Sequence, residues 1–134
     1  MKKIKNAVRL SSLPMTISLL ILILFRFVFL LGYVPTASME PALKTGSLLL
    51  GVRVWGDIQK GDIIVFQHNK EYLVKRVEAV EGDLIESNGE NLVVPEGGFY
   101  VLGDNGQCSY DSRYWEYPFV MNDDIVAKVI LPTR

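Results

Sequence analysis

One lysine sits among residues that do not suit it. In Tyr72-Leu73-Val74-Lys75-Arg76-Val77, strand alternation puts Leu73, Lys75, Val77 and Ala79 on one face. Tyr72, Val74, Arg76 and Glu78 take the other. The first set is apolar except for Lys75. Loss of hydration there favours the neutral amine and lowers its pKa. A neutral amine at working pH is what a lysine general base requires. The same pattern suits a strand-edge lysine that reaches back to water, so alternation alone leaves both readings open. Few other groups could do chemistry. The single cysteine, Cys108, and the single histidine, His68, exclude an internal disulfide and a Cys- or His-rich metal site. No metal and no organic cofactor is expected. Catalysis has to come from Ser, Lys, Asp, Tyr or backbone groups. His68 lies in the polar turn Gln67-His68-Asn69-Lys70 and reads as solvated. Cys108 reads either as a free thiol or as an inert buried one.

The elements that must position Lys75 are short and β-rich. Candidate strands are Ser47 to Val54, Ile63 to Gln67, Glu71 to Val80, Asp83 to Ser87, Leu92 to Val94, Phe99 to Leu102 and Ile125 to Leu131. Gly61-Asp62, Gly82-Asp83 and Gly103-Asp104 punctuate them. Asn88-Gly89 predicts a tight hairpin, because a type I′ turn needs positive φ at both central positions. The fold class is mostly β, an antiparallel barrel-like or coiled sheet. Trp115 is expected in the core, and so is the Leu48-Leu49-Leu50 run.

Ahead of this lies a different kind of sequence. Of the twenty residues from Met15 to Val34, fourteen are Leu, Ile, Phe or Val. Twenty residues match a bilayer core as one helix. Arg26 within the run costs ~3 kcal/mol on insertion scales, against roughly 4 to 8 from the apolar residues. Lys2, Lys3, Lys5 and Arg9 precede the run, and all fifteen acidic residues follow it. The expectation is a cytoplasmic tail over 1–14, a transmembrane anchor over 15–34 and an extracytoplasmic domain over 35–134. A cleaved signal peptide is the competing reading, but its apolar part is usually shorter. Nine basic residues accompany the fifteen acidic ones after the run, so no nucleic-acid surface is expected. The lipid bilayer is the expected partner.

Several blocks now fall into order. Ser38-Met39-Glu40-Pro41 follows the apolar run, then Gly61-Asp62, Lys75-Arg76-Val77 and Gly82-Asp83. Gly103-Asp104-Asn105 comes last, with Ser109, Asp111, Ser112, Arg113, Tyr114 and Trp115. This order resembles the type I signal peptidases, membrane serine proteases that use a serine and a lysine to remove signal peptides from exported precursor proteins. The resemblance implies that Ser38 is the nucleophile and Lys75 its general base. It implies that Ser109 orients the lysine and that Asp111 and Arg113 form a structural ion pair. Asp104, Asn105 and Ser112 belong to the supporting block. Thr36 falls where some members place an oxyanion donor. Met39 and Pro41 fall beside the nucleophile, where substrate contacts are expected. The substrate would add as an extended strand to a sheet edge.

The chain departs from the family pattern in places. Ala42 stands where Thr is frequent, Glu40 puts an acid two positions from Ser38, and Glu116 follows Trp115 where glycine is usual. The stretch between Lys75 and Gly103 is short. Two other readings compete. One is a silent membrane-tethered scaffold, for example for pilus subunits, because a fold does not fix an activity. The other is a self-cleaving repressor, which the uninterrupted apolar span disfavours.

Overall fold

The computed structural model describes residues 2–87 and 89–132. Helix α1 spans Lys2–Phe27. Nine strands follow: β1 (Phe29–Tyr33), β2 (Leu48–Val52), β3 (Ile63–His68), β4 (Glu71–Val80), β5 (Leu84–Ser87), β6 (Glu90–Val93), β7 (Gly98–Leu102), β8 (Phe119–Met121) and β9 (Ile125–Leu131). Single turns of 3-10 helix occupy Ala37–Met39 and Asn122–Asp124.

Seven strands form one antiparallel sheet in the order β1-β2-β9-β3-β4-β7-β8, and β5 and β6 pair separately as a hairpin. The sheet is open, with β1 and β8 as its edges, so it is not a closed barrel. In the β5–β6 hairpin the last pair is Ser87 with Glu90. Asn88 lies outside the described residues, and Gly89 has φ +80° as such a turn requires.

The centre of the sheet is covered on both faces. In β3, Ile63 and Val65 pack with Val34, Met39, Leu43 and Leu49. Ile64 and Phe66 point the opposite way, against Val77, Val101, Trp115 and Ile125. That is the period-two alternation of a strand with two apolar neighbours. Full burial of such side chains contributes about 1.5–3 kcal/mol each. Trp115 is in the core as expected. The Leu48-Leu49-Leu50 run is not core throughout: alternation buries Leu49 and exposes Leu48.

The apolar run before Pro35 is divided. Its helical part ends at Phe27, and Phe29–Tyr33 joins the sheet as β1, paired antiparallel with β2 from Phe29↔Val52 to Tyr33↔Leu48. Val34 and Leu30 then contribute to the core, while Leu31 and Tyr33 face outward. The single helix expected over 15–34 is therefore not what forms. The free edge of β2 supplies ladder partners that a helix could not use, and residues 29–34 take them. The helical part from Met15 onward extends only about 20 Å at 1.5 Å per residue, short of a ~30 Å hydrocarbon core. Among the described residues no helix is long and apolar enough to cross a membrane. The side chains of α1 from Leu13 to Phe27 are nevertheless largely exposed.

Candidate active site

Ser38 is held by its neighbours on both sides. It sits on the turn Ala37–Met39, where the Glu40 N–H bonds the Ala37 carbonyl and the Leu43 N–H bonds the Met39 carbonyl. The Met39 side chain is buried in the core and pins the turn to the sheet. The Ser38 carbonyl accepts the Asn105 N–H at 3.0 Å, which ties the turn to the loop after β7. Pro41 follows a cis peptide bond and lies beside Arg76 and Asp104, away from the Ser38 cleft.

Lys75 reaches this turn from β4. It is 3% exposed, so the choice left open by alternation is settled for burial over reaching back to water. Its Nζ lies 2.8 Å from Ser38 Oγ. The separation serves both directions of proton exchange: an ammonium donates to the hydroxyl, and a neutral amine accepts from it. Burial pushes the Lys75 pKa below the ordinary lysine value of 10.5; the Asp111 charge opposes this shift and the Arg113 charge assists it. Thr36 Oγ1 is 3.3 Å from Ser38 Oγ.

The loop after β7 forms a second tier. Asp111 is fully buried and accepts from the Gly103 N–H at 2.8 Å and the Ser109 hydroxyl at 2.6 Å. Arg113 meets it with Nε and Nη2, both at 2.8 Å. Burial alone would raise the Asp111 pKa, but these donors and the Arg113 charge hold it below the usual 3.8. The ion pair that the family resemblance implies is thus present. The Ser109 hydroxyl is directed at Asp111 rather than at Lys75, and among the described residues no hydrogen bond joins Ser109 to the lysine. Ser112 is buried and its Oγ accepts the Val101 N–H at 3.0 Å.

Three features of this tier were not read from the sequence. Asp104 is gripped by Arg76 through two hydrogen bonds of 2.8 and 2.6 Å. Arg76 faces away from Lys75 on the same strand, so one strand supplies the amine to the cleft and a guanidinium to the loop. Gly103 occupies a space with no room for a side chain: a Cβ there would overlap Ser109 and stand 2.6 Å from the Ser38 carbonyl oxygen. His68 is half-buried and stacks on Trp115 at 4.1 Å, so it is not the solvated turn residue expected. Cys108 is exposed.

Ser38 and Lys75 open onto a cleft of about 430 Å³ with mostly apolar walls. One wall is β1 and its continuation to Thr36, and the other is Tyr72 to Lys75. β1 is an edge strand that pairs only with β2. In β4, pairing with β7 begins at Arg76, so Tyr72 to Val74 are bonded on the β3 side alone. Two unfilled ladder edges therefore border one cleft, which gives it the means to hold an extended peptide.

A serine hydroxyl, a buried amine in contact with it and a strand-shaped cleft are the equipment of a peptide hydrolase. The sequence comparisons agree. The chain belongs to the signal peptidase, peptidase S26 family, whose sequence pattern it matches over residues 7–94 and 87–133. It is 29% identical over 135 residues to a signal peptidase I of Leptolyngbya laminosa, covering 74% of this chain and 66% of that one. It is also 29% identical over 138 residues to signal peptidase IB of Staphylococcus aureus strain Mu50, covering 69% of this chain and 71% of that one. The resemblance to type I signal peptidases is thereby established. The chain spans about two thirds of the length of these relatives.

Proposed function

We propose that this chain is a serine endopeptidase that removes N-terminal signal peptides from exported precursor proteins, with Ser38 as nucleophile and Lys75 as general base. The observation that carries the reading is the 2.8 Å contact between a buried lysine and Ser38 at the head of the cleft. A neutral Lys75 takes the hydroxyl proton, and Oγ attacks the scissile carbonyl. The oxyanion that forms is received by the Ser38 N–H and the Thr36 hydroxyl, each such donor being worth about 3 kcal/mol. Lys75, now an ammonium, protonates the leaving amine. Water then cleaves the acyl-enzyme, with Lys75 again the base. Asp111, Arg113 and Ser109 act behind the dyad. They fix the loop that holds the Ser38 carbonyl and set the field at Lys75.

The substrate lies extended between β1 and the open part of β4. The exposed apolar surface of α1 supports attachment to a bilayer, with the sheet on the outer side. The cleft would then lie where a translocated precursor presents its cleavage site. The test is cleavage of a precursor with a small-residue signal site by the purified protein in detergent. Wild type is expected to cleave, and Ser38→Ala and Lys75→Ala to be inactive while still folded. Cleavage that survives in Ser38→Ala would falsify the assignment.

A further inference from the structure

Apart from Lys75, the cleft is lined by one charged side chain, Arg53, among the described residues. Arg53 follows β2 directly. Its backbone N–H bonds the Val28 carbonyl at 2.7 Å and its Nε bonds the Phe29 carbonyl at 3.2 Å. The guanidinium is therefore fixed where α1 gives way to β1, at the end of the cleft wall away from Ser38. Its two terminal nitrogens have no hydrogen-bond or ion-pair partner among the described residues. A planar fork anchored through Nε, with both outer donors free and apolar walls around it, suits a carboxylate.

We infer that Arg53 is a specificity-determining residue that reads an acidic side chain of the substrate on the N-terminal side of the scissile bond. The inference rests on the endopeptidase reading above and adds the chemistry of one distant subsite. Position follows from the wall. An extended peptide advances ~3.3 Å per residue, as β1 does, so the guanidinium meets a side chain about five to seven residues from the bond beside Ser38. Direction follows from α1. The helix meets the cleft at the Arg53 end, and the apolar segment of a precursor, which precedes its cleavage site, would approach from the same membrane side. The residue read by Arg53 thus falls between that apolar segment and the cleavage site.

The test uses the full chain in detergent and a set of otherwise identical precursor peptides. Each carries Ala, Asp or Lys at one position from four to eight residues before the scissile bond. Wild type is expected to prefer Asp over Lys about tenfold in kcat/KM at one of the central positions. Arg53→Gln is expected to lose the preference, and Arg53→Glu to reverse it in favour of Lys. That reversal is something a merely structural arginine would not produce. An equal fall for all three peptides in both variants would mean that Arg53 only secures β1, and would overturn the inference. So would an Asp preference that survives in Arg53→Glu. Ser38-dependent cleavage with no charge preference sinks this inference alone. Absence of Ser38-dependent cleavage sinks the endopeptidase reading and this inference with it.

Discussion

Replacing Gly103 with alanine tests the idea that the loop after β7 holds the nucleophile by shape. The added Cβ would stand 2.6 Å from the Ser38 carbonyl oxygen and overlap the Ser109 side chain, about 0.8 Å inside ordinary contact. Neither neighbour is the free end of a flexible chain. Ser38 is fixed by Asn105 and by Met39, and Ser109 by Asp111. Gly103 does not have positive φ, so the substitution introduces no backbone strain, only volume. Overpacking of this kind costs typically 1–3 kcal/mol of stability. A displacement of Ser38 by about 1 Å costs ~100-fold in rate when it moves a reacting atom out of line. The expected result is a fall in kcat of about that size, with a smaller change in KM and a lowered Tm. Assays belong well below the Tm, on protein whose fold is checked by circular dichroism. Gly56→Ala is the control, because nothing lies within 4 Å of its Cβ and its φ is not positive. It is expected to match wild type. A Gly103→Ala enzyme within twofold of wild type in kcat would refute the reasoning.

Three further expectations concern charge and hydrogen bonding. Burial holds the Lys75 pKa below 10.5, so cleavage should rise with pH along a limb centred below that value. Because the unfolded chain keeps the proton between the two pKa values, wild-type stability should rise with pH through that window. Lys75→Met should accordingly raise the Tm most below the folded pKa and progressively less towards 10.5, and calorimetry across pH would show otherwise if burial were not the cause. Asp104→Ala removes the anchor gripped by Arg76. The pair is partly exposed, so a stability loss of about 1 kcal/mol is expected, with kcat reduced more than KM as the Asn105 contact to Ser38 loosens. Steady-state kinetics and urea melts measure both. Thr36→Val keeps the shape but removes the hydroxyl 3.3 Å from Ser38 Oγ. If it serves the oxyanion, kcat should fall about 100-fold or more with KM little changed; an unaltered kcat would leave the backbone N–H as the sole donor.

The strand bearing Lys75 was legible because its alternation is clean and its one exception is charged. Glu71 to Val80 and Ile125 to Leu131 were found at their observed ends. Phe29–Tyr33 was not, because a continuous apolar run carries no period and suits a helix or a buried strand equally. What decides it is the open edge of β2, which no local reading of residues 15–34 can see. Phe119–Met121 was missed because three residues give no pattern. The Asp111–Arg113 pair came from the family resemblance, and its neighbours in sequence favour it. The Arg76–Asp104 grip and the Arg53 anchor join residues distant in the chain, and only the sheet order brings them together. His68 was misread for a related reason: its local sequence is polar, while the face it meets belongs to Trp115.

The continuity of α1 and β1 makes the spacing between helix and nucleophile count in units. From Phe29 to Val34 every side chain is assigned by pleat, with Leu30 and Val34 inward and Leu31 and Tyr33 outward. Deleting one residue here would exchange the two sets and turn the core face outward, whereas deleting two would restore the faces and draw the helix one pleat repeat closer to Ser38. Insertions and deletions in this connector should therefore be tolerated by parity. A ladder of such variants, scored simply as odd or even, would read the register of the strand without any structure at all.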